Sequence, residues 1–365
     1  MKPESIGTGV VPTQTLGEHL RKRGLTRRSL LQYAACTASL MGLSPREAAA
    51  MAQGLEKATR QSVIWLSFQE CTGCTESLTR SFSPSLEDLI FDFISLDYHH
   101  TLQAVSGEAA EAARHAAMKA HAGRYIVVVD GSVPLGEGGI YSVIAGMTNA
   151  AMLAETVEHA AAVIAVGTCA AYGGLPEARP NPTGAVAISQ LVKGKPVVNI
   201  PGCPPMPQAM AGTLTHFLSF GTLPELDALG RPKAFFGETI HDRCYRRPFY
   251  NRGQFAKAFD DEGARRGWCL YELGCKGPVT YNACASLKWN GGTSFPIQSG
   301  HGCIGCSEPK FWDRGGLYQP LPAPTKKRGR VIGIAAAGGG VLGAGAAVVA
   351  RQRIGQGETN ESAQE

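Results

Sequence analysis

Eleven cysteines in a chain of 365 residues limit what this sequence can fold into more than any other feature. So many thiols in one chain suggest that most of them are joined in disulfides or bound to metal. Cys36 lies near the N-terminus, and the other ten lie between residues 71 and 306. Two pairs, Cys71/Cys74 and Cys303/Cys306, are separated by two residues, a spacing that lets both thiolates reach one metal centre.

Four short apolar runs, rich in β-branched residues, predict the strands of a parallel sheet. They cover residues 63–68, 125–129, 162–166 and 197–200, and residues 107–121 and 140–158 between them have helical character. Strands that alternate with helices in this way form an open parallel sheet with helices on both faces. We therefore expect an α/β fold with a doubly wound parallel sheet.

Cysteines follow three of these runs at the point where each predicted strand ends. Cys71 and Cys74 come after the first run, Cys169 after the third and Cys203 after the fourth. Ligands of open parallel sheets bind in the crevice at the carboxyl ends of the strands. We therefore expect these four thiols to converge on one site.

The pattern changes after about residue 231, where Gly, Pro, Cys and aromatic residues replace regular alternation. Only short helices are expected there, for example at residues 254–263. A segment this irregular buries little apolar surface, so bound metal is the expected source of its stability. Six cysteines lie in this segment: Cys244, Cys269, Cys275, Cys284, Cys303 and Cys306.

The first 52 residues have the three parts of a cleaved export signal. The charged start includes the pair Arg27 and Arg28, residues 30–43 are apolar, and an Ala-rich stretch at residues 48–52 supplies a cleavage site. Twin arginines before a mildly apolar run are typical of the pathway that exports folded proteins. We therefore predict a twin-arginine signal peptide at residues 1–52. A basic amphipathic helix of the mature protein is the alternative.

At the other end, residues 331–350 are 20 residues without a charge, which is long enough to cross a bilayer. Six of them are Gly and seven are Ala, so a flexible tail is the alternative. Pro320, Pro322 and Pro324 predict a stiff linker at residues 320–330. We expect a C-terminal hydrophobic helix that anchors the chain in the membrane, followed by a tail at residues 351–365.

Charge is concentrated at the two ends of the chain. Residues 1–60 carry nine basic and four acidic residues, residues 326–365 carry six and three, and the remainder is slightly acidic. A nearly neutral body argues against a nucleic-acid surface. Basic ends suit segments that meet export machinery and membrane.

Disulfides are the main alternative to metal, because ten cysteines in an exported chain would make five bonds. The Cys-x-x-Cys pairs and the separate core of a parallel sheet favour metal instead. Structural zinc is the second alternative, since four thiolates also suit zinc. With His241, three residues before Cys244, the candidate ligands number eleven. Eleven divides into four, four and three, which fits two four-iron clusters and one three-iron cluster better than a set of zinc sites.

Six motifs together are highly specific, although any single Cys-x-x-Cys is a weak signal. They are Cys-Thr-Gly-Cys-Thr-Glu at 71–76, Val-Gly-Thr-Cys at 166–169, Arg-Pro-Asn-Pro-Thr at 179–183, Pro-Gly-Cys-Pro-Pro at 201–205, His-Asp-Arg-Cys at 241–244 and Gly-Cys-Ile-Gly-Cys-Ser-Glu-Pro at 302–309. In these motifs the chain resembles the small subunits of periplasmic or membrane-bound uptake nickel-iron hydrogenases. The resemblance runs from about residue 62 to residue 318.

The resemblance implies a flavodoxin-like domain at residues 61–235 and a small irregular cysteine-rich iron-sulfur domain at residues 236–319. By similarity to the family, the proximal 4Fe-4S ligands are Cys71, Cys74, Cys169 and Cys203. The distal 4Fe-4S ligands are His241, Cys244, Cys269 and Cys275, and the medial 3Fe-4S ligands are Cys284, Cys303 and Cys306. Each cysteine outside the predicted leader is then used once.

In this family, hydrogen is split at a nickel-iron centre on the large subunit, and the small subunit passes the electrons on. The resemblance therefore implies an electron-transfer subunit with no catalytic residue of its own. The expected partners are a hydrogenase large subunit and a membrane cytochrome b that delivers electrons to quinone. The expected location is the periplasmic face of the cell membrane. Arg246, Arg247 and Lys276, beside the distal ligands, are a candidate docking patch for the acceptor.

Two other functions compete with this assignment. The related iron-sulfur subunit of respiratory complex I shares the doubly wound domain, but it lacks an export signal and the second cysteine-rich region. A disulfide-linked exported scaffold would have no redox role. His99 and His100 also suggest a metal pair, but we expect them at the surface.

Overall fold

The apolar runs between residues 61 and 200 form one five-stranded parallel sheet in the computed structural model, which describes residues 14–82 and 84–322. The strands are β1 (Gln61–Ser67), β2 (Ile94–His99), β3 (Ile126–Asp130), β4 (Ala162–Val166) and β5 (Val197–Ile200). They lie in the order β2-β1-β3-β4-β5. This is the flavodoxin-like order, with a switch point between β1 and β3. The prediction of an α/β fold with a parallel sheet is confirmed.

Helices cover both faces of this sheet because alternate residues of each strand point to opposite sides. Val63 and Trp65 belong to one core, and Ile64 and Leu66 belong to the other. The longer helices are α1 (Leu16–Lys22), α2 (Arg27–Leu40), α3 (Pro45–Lys57), α4 (Gly73–Thr79), α5 (Gly107–Ala120), α6 (Asn149–Val157), α7 (Gly167–Tyr172) and α8 (Pro207–Phe220). Helix α8 packs on the first face, and α6 packs on the second.

Short elements connect these helices and strands. Single turns of helix lie at Leu86–Asp88, Leu89–Phe93, Gly136–Gly139, Gly174–Glu177, Ile188–Leu191 and Lys233–Phe236. Two-residue strand pairs join Val133–Pro134 to Ala185–Val186 and Val143–Ile144 to Met147–Thr148. They position the loops at the carboxyl edge of the sheet.

Two predictions in this part of the chain need correction. Strand β2 was missing from the predicted set, because Ser95 and Asp97 interrupt its apolar pattern; Ser95 Oγ donates to Asp97 Oδ1 at 2.6 Å. The helix predicted at residues 140–158 begins only at Asn149. Ala145 and Gly146, with φ of 51° and 79°, turn the preceding residues into a hairpin instead.

The segment predicted as an export signal is folded against the sheet as α1, α2 and α3. Leu16, Leu30 and Leu55 are buried in the same core as β1 and α8. Gly54 permits the closest approach of α3 to α8, since a Cβ there would lie 1.9 Å from the carbonyl oxygen of Ser219. Helical structure agrees with the alternative interpretation of this segment, a basic amphipathic helix of the mature protein. Export itself stays a prediction.

Beyond residue 236 the chain is held by short turns rather than by long elements. They are Ile240–Arg243, Arg247–Asn251, Glu262–Arg265, Tyr271–Leu273, Gly277–Val279, Cys284–Leu287 and Phe311–Asp313. The helix predicted at residues 254–263 is wrong. Helix begins there at Glu262, because Asp261 Oδ1 accepts a hydrogen bond from the Ala264 amide at 2.6 Å as an N-cap.

The core of this cysteine-rich region contains thiols where other small domains have aliphatic side chains. Ten buried residues form it, and four of them are cysteines: Cys244, Cys275, Cys284 and Cys303. Few apolar side chains are left to hold the region together.

Within residues 14–82 and 84–322, no helix is both long and apolar enough to cross a membrane. The predicted span at residues 331–350, the tail after it and most of the predicted linker lie outside the described residues, as do the first 13 residues of the predicted leader. These assignments and the predicted boundaries at residues 52, 235 and 319 stay predictions.

Candidate metal centres

The four cysteines that follow β1, β4 and β5 lie together at the carboxyl edge of the sheet, and we call them the sheet-edge group. Cys71 and Cys74 lie where β1 leads into α4, Cys169 lies in α7 directly after β4, and Cys203 follows β5. Every pair among the four thiols interacts electrostatically. Cys71 and Cys203 are exposed, whereas Cys74 is buried. The group is therefore closed toward the sheet and open toward solvent.

Two glycines leave room for these sulfurs. Gly167 has a φ of +85°, and a Cβ there would lie 2.4 Å from Cys74 Sγ. Gly174 has a φ of +59°, and a Cβ there would lie 2.6 Å from Cys169 Sγ. Both positions need glycine, for the left-handed backbone and for the sulfur beside it.

Burial dominates the chemistry of the sheet-edge thiols. It raises the pKa of Cys169 to about 12, although the Leu175 amide donates a hydrogen bond to that sulfur and opposes the shift. Burial, and then the carboxylate of Asp130, raise the pKa of Cys74 well above its usual range. Four anionic sulfurs this close together repel one another, so a bound cation is needed to keep them deprotonated.

His241, Cys244, Cys269 and Cys275 line a single pocket with an empty volume of about 280 Å³, and we call them the pocket group. His241 lies in the 3₁₀ turn Ile240–Arg243, and Cys244 directly follows it. Residues three apart in such a turn lie above one another. The spacing of these two residues therefore directs both side chains into the pocket.

The pocket favours neutral imidazole and anionic sulfur. Burial lowers the pKa of His241, and nearby Arg247 lowers it further, so the ring is neutral at pH 7, the form that binds metal. Its ring packs edge-on against Tyr250, with centroids 4.5 Å apart. Backbone amides donate hydrogen bonds to the three sulfurs, from Arg246 to Cys244, from Tyr271 to Cys269 and from Gly277 to Cys275. Such hydrogen bonds stabilise negative charge on sulfur.

Cys284, Cys303 and Cys306 form the third set, which we call the middle group. Cys306 interacts electrostatically with both of the others. Burial raises the pKa of Cys284 to about 12 and that of Cys306 to about 11. Asn282 Oδ1 accepts hydrogen bonds from the Cys284 amide at 3.1 Å and from its Sγ at 3.0 Å, and the Gly305 amide donates to Cys303 Sγ at 3.4 Å.

The three groups adjoin one another in a fixed order. Cys203 and Cys306 are close enough to interact electrostatically, which joins the sheet-edge group to the middle group. The Cys303 amide donates to Cys275 Sγ at 3.3 Å, which joins the middle group to the pocket group. The middle group therefore lies between the other two.

Thr168 reinforces the first of these junctions, and sequence analysis missed it. Its hydroxyl accepts a hydrogen bond from the Gly202 amide at 2.9 Å and donates one to the carbonyl of Cys306. The only signal in the sequence is its place beside Cys169. No local pattern marks a hydroxyl that bridges segments 138 residues apart.

The candidate docking patch is largely wrong. Arg246 and Lys276 are buried, at 6% and 9% exposure, whereas Arg247 is exposed. Arg246 donates to the carbonyl of Trp268 at 2.7 Å, and Lys276 Nζ donates to the carbonyl of Gln319. Both cations stabilise the loops around the pocket group, because each donates a hydrogen bond to a backbone carbonyl of another loop.

The expectation that His99 and His100 lie at the surface is also wrong. His99 is fully buried, and burial lowers its pKa to about 4. Its Nδ1 accepts the amides of Thr101 and Leu102 at 3.0 and 3.2 Å. His100 is half-buried, and its Nδ1 accepts the Ser67 amide at 2.9 Å. Both rings cap the chain at the end of the sheet.

The donor set determines which metal group fits. All eleven cysteines lie in the described part of the chain, and all are free thiols. Among the described residues, no three His, Cys, Asp or Glu side chains are arranged to hold a single metal ion. Ten thiols and one neutral imidazole, in three adjoining groups, suit iron-sulfur clusters, which take Cys ligands and in some proteins His.

Two sequence families match separate parts of the chain. The family of the C-terminal domain of NiFe/NiFeSe hydrogenase small subunits matches residues 236–319. The family "NADH ubiquinone oxidoreductase, 20 Kd subunit" matches residues 71–217. The second match lies within the part of the chain that forms the parallel sheet and its helices.

Relatives that match most of the chain are hydrogenase subunits. The uptake hydrogenase small subunit of Azotobacter vinelandii is 48% identical over 347 residues, which are 93% of this chain and 97% of the relative. The hydrogenase-1 small chain of Escherichia coli K12 is 46% identical over 305 residues, 84% of this chain and 82% of the relative. A solved structure of the reduced, active Ni-Fe-Se hydrogenase from Desulfomicrobium baculatum has a TM-score of 0.69 and 35% identity, and the match covers 72% of this chain and 100% of that one.

A parallel sheet with thiols at its edge, followed by a cysteine-rich region, defines a class of protein: the iron-sulfur electron-transfer subunits of oxidoreductases. Identity of this extent shows that the chain belongs to the small-subunit family of NiFe hydrogenases. Its members are the electron-transfer subunits of heterodimers that include a large subunit. The resemblance inferred from the motifs is therefore confirmed, and the complex I alternative is excluded for the chain as a whole.

Proposed function

We propose that this chain carries electrons from the large subunit to a membrane acceptor through two 4Fe-4S clusters and one 3Fe-4S cluster. The sheet-edge group would hold the proximal cluster, the middle group the medial cluster and the pocket group the distal cluster. Bound clusters supply one-electron oxidation and reduction at potentials set by ligand type, hydrogen bonds to sulfur and exposure. The observation that carries the proposal is the order of the groups, in which hydrogen bonds from Thr168 to Cys306 and from Cys303 to Cys275 place the middle group between its neighbours.

The large subunit would dock where the sheet-edge group opens to solvent. Leu175 is 54% exposed, although its amide donates to Cys169 Sγ. Ile140 and Tyr141 are 66% and 50% exposed on a neighbouring loop. Apolar side chains left in water beside a ligand site are typical of a protein interface.

This loop is tied directly to the sheet-edge group. The Gly136 amide at its start donates to the Thr183 carbonyl at 2.8 Å. The Thr183 hydroxyl in turn accepts from Gln69 Nε2 at 3.0 Å, two residues before Cys71. These hydrogen bonds connect the loop that carries the exposed apolar residues to the segment that leads into Cys71, which supports docking of a large subunit at this edge.

The pocket group lies at the opposite end of the order, where we place the acceptor. A neutral imidazole in place of a thiolate removes one negative charge. The backbone amides near Cys244, Cys269 and Cys275 stabilise the negative charge that remains on these sulfurs. Both effects raise the reduction potential of a cluster held there and favour electron movement toward it. A cytochrome b that feeds quinone would take electrons at this end.

Metal analysis of the purified heterodimer tests the proposal. We expect about twelve irons per heterodimer, about eleven in this chain and one in the nickel-iron centre of the large subunit, with a similar number of acid-labile sulfides. The oxidised protein should show the electron paramagnetic resonance signal of a 3Fe-4S centre, and Cys284→Ser should remove that signal while the 4Fe-4S signals of the reduced protein persist. Stoichiometric zinc, or a colourless protein with five disulfides, would end the proposal.

We also propose export by the twin-arginine pathway and attachment to the periplasmic face of the cell membrane. Arg27 and Arg28 are exposed on the first turn of α2, where a receptor would reach them. The predicted cleavage segment at residues 48–52 lies inside α3, with Met51 and Ala52 buried. Cleavage at this segment would therefore require α3 to leave the body and unwind.

Fractionation with N-terminal sequencing tests export and anchoring separately. The mature periplasmic chain should begin within a few residues of Ala52, and the double substitution R27K/R28K should leave the precursor in the cytoplasm. Truncation after Tyr318 should release the exported heterodimer from the membrane. A mature protein that keeps residues 14–52 would favour the alternative that these helices belong to the final fold.

A further inference from the structure

Arg231 is a buried cation at the junction between the sheet and the cysteine-rich region. Its side chain is 4% exposed, and its Nε donates to Asp227 Oδ2 at 2.7 Å. Its Nη1 donates to Glu308 Oε1 at 3.0 Å. The guanidinium also packs on two rings, with Cζ 5.7 Å from the centroid of Phe236 and 5.3 Å from that of Tyr281. Partners from three segments, at residues 227–236, 281 and 308, therefore fix this one side chain.

Glu308 connects Arg231 to the middle group. It lies two residues after Cys306, and its amide donates to the Gly305 carbonyl at 2.9 Å. The carboxylate oxygen that binds Arg231 also accepts the Tyr281 amide at 2.7 Å. Glu308 therefore holds the turn that carries Cys306 and links it to a second segment.

That second segment carries the remaining part of the middle group. Ser307 Oγ donates to the Tyr281 carbonyl at 2.9 Å, so two hydrogen bonds join the two segments. Tyr281 is followed by Asn282, whose side chain accepts from the amide and the sulfur of Cys284. The Arg231–Glu308 ion pair thus joins both segments of the middle group to the end of the sheet domain.

Arg231 also lies near the sheet-edge group. Burial raises the pKa of Tyr172, three residues after Cys169 on α7, and Arg231 and Glu308 are close enough for their charges to influence it. The charge of Arg231 is therefore situated between the helix that carries one sheet-edge thiol and the turn that carries Cys306. Water screens charges weakly in such buried surroundings.

We infer that Arg231 is a positioning residue for the middle group and that its charge helps to set the reduction potential of the centre held there. The inference rests on the proposed function, since it requires a 3Fe-4S centre at Cys284, Cys303 and Cys306. A nearby cation stabilises the reduced form, which carries one more negative charge, and so raises the potential. The carboxylate of Glu308 acts in the opposite sense.

The opposite signs of the two charges give a direct test. Redox titration of the purified heterodimer follows the 3Fe-4S signal by electron paramagnetic resonance in wild type, Arg231→Gln and Glu308→Gln. At the potential where wild type is half reduced, we expect Arg231→Gln to shift the oxidised-to-reduced ratio roughly three- to tenfold toward the oxidised form. Glu308→Gln should shift it by a similar factor toward the reduced form. A tenfold change corresponds to about 59 mV for one electron.

If the Arg231–Glu308 ion pair only held the loops in place, the two substitutions would not shift the oxidised-to-reduced ratio in opposite directions. Arg266→Gln is the matched control, because Arg266 pairs with Glu262 at 2.6 Å on the surface, with a side chain 66% exposed. This control should leave the ratio unchanged. If Arg231→Gln does not accumulate, Glu308→Gln decides alone: a shift toward the reduced form supports the inference, and no shift overturns it.

Arg231→Lys separates position from charge. Lysine keeps the positive charge but cannot offer two nitrogens in one plane or pack flat on Phe236 and Tyr281. We expect a potential close to wild type together with a broadened 3Fe-4S signal. A wild-type protein with no such signal would overturn the proposed function. If wild type shows the signal but both glutamine variants shift the oxidised-to-reduced ratio in the same direction, or leave it unchanged, only this inference is overturned.

Discussion

The sheet-edge group and the two groups beyond residue 236 place their sulfurs by different means. In the first, four thiols reach one site because three parallel strands end at the same edge, and glycines such as Gly167 keep that edge open. In the other two, loops without long elements hold the thiols through hydrogen bonds and buried charges. The core of that region itself contains four cysteines among its ten buried residues.

The two regions therefore differ in what depends on what. The fold of the sheet forms the first site, whereas in the cysteine-rich region the bound site stabilises the fold. The sheet has two apolar cores that do not depend on any metal ligand for most of their area. The cysteine-rich region has one small core, which stays intact only if its thiols are kept in place. Metal binding and folding should therefore be coupled strongly in the second region and weakly in the first.

Removal of the iron should show the largest contrast between the two regions. After chelation under reducing conditions, we expect amide exchange in residues 236–319 to accelerate by about a hundredfold or more, because the loops lose the ligands that join them. Amides in β1, β3 and β4 should accelerate by less than about tenfold. Hydrogen exchange with mass spectrometry measures both in one sample.

Helix α5 (Gly107–Ala120), which packs on the face of the sheet opposite α8, serves as the internal reference for that experiment. Its peptides should not change. Equal acceleration in the sheet and in residues 236–319 would break the comparison, since it would show that one cooperative unit depends on the metal throughout.

Gly167→Ala tests whether the backbone alone places the sheet-edge thiols. The methyl group would meet Cys74 Sγ, so we expect loss of about four irons while the 3Fe-4S signal persists. Gly123→Ala is the matched control, because Gly123 has a φ of +74° with no atom within 4 Å of the added Cβ. Both variants should lose roughly 1–2 kcal/mol of stability from backbone strain. Equal iron content in the two variants would contradict a steric role for Gly167.

The sequence predicted the sheet-edge group better than the other two, for a physical reason. Strand ends of a parallel sheet converge whatever the loops do, so the positions of Cys71, Cys169 and Cys203 followed from three apolar runs. The edge strand β2 escaped prediction because polar residues such as Asp97 interrupt its pattern. Local periodicity reports burial, and an edge strand is buried unevenly.

The contacts that join the groups lie beyond the reach of sequence patterns. Arg231 and Glu308 are 77 residues apart, and Thr168 and Cys306 are 138 apart. Each pair depends on how the sheet and the loops pack, which no local spacing encodes. For the same reason Arg246 and Lys276 resemble a surface patch in the sequence, although in the structure both side chains are buried and donate to backbone carbonyls of other loops.

The smallest expected effect is the pH dependence of the free energy of unfolding. It arises from the buried imidazole of His99 at the end of β2. Burial lowers its pKa from 6.5 to about 4, so the folded chain keeps the ring neutral while the unfolded chain takes up a proton below pH 6.5. This contribution is therefore complete above pH 6.5 and is lost as the pH falls toward 4. Between pH 7.5 and 5.5 we expect the free energy of unfolding to fall by about 1.3 kcal/mol from His99 alone.

His99→Asn keeps an acceptor for the amides of Thr101 and Leu102 and should remove that part of the loss in urea titrations followed by circular dichroism. His159→Asn, at a side chain 63% exposed, is the matched surface control for the substitution itself. A His99→Asn variant that loses as much stability as wild type over this range would show that the ring is not kept neutral by the sheet.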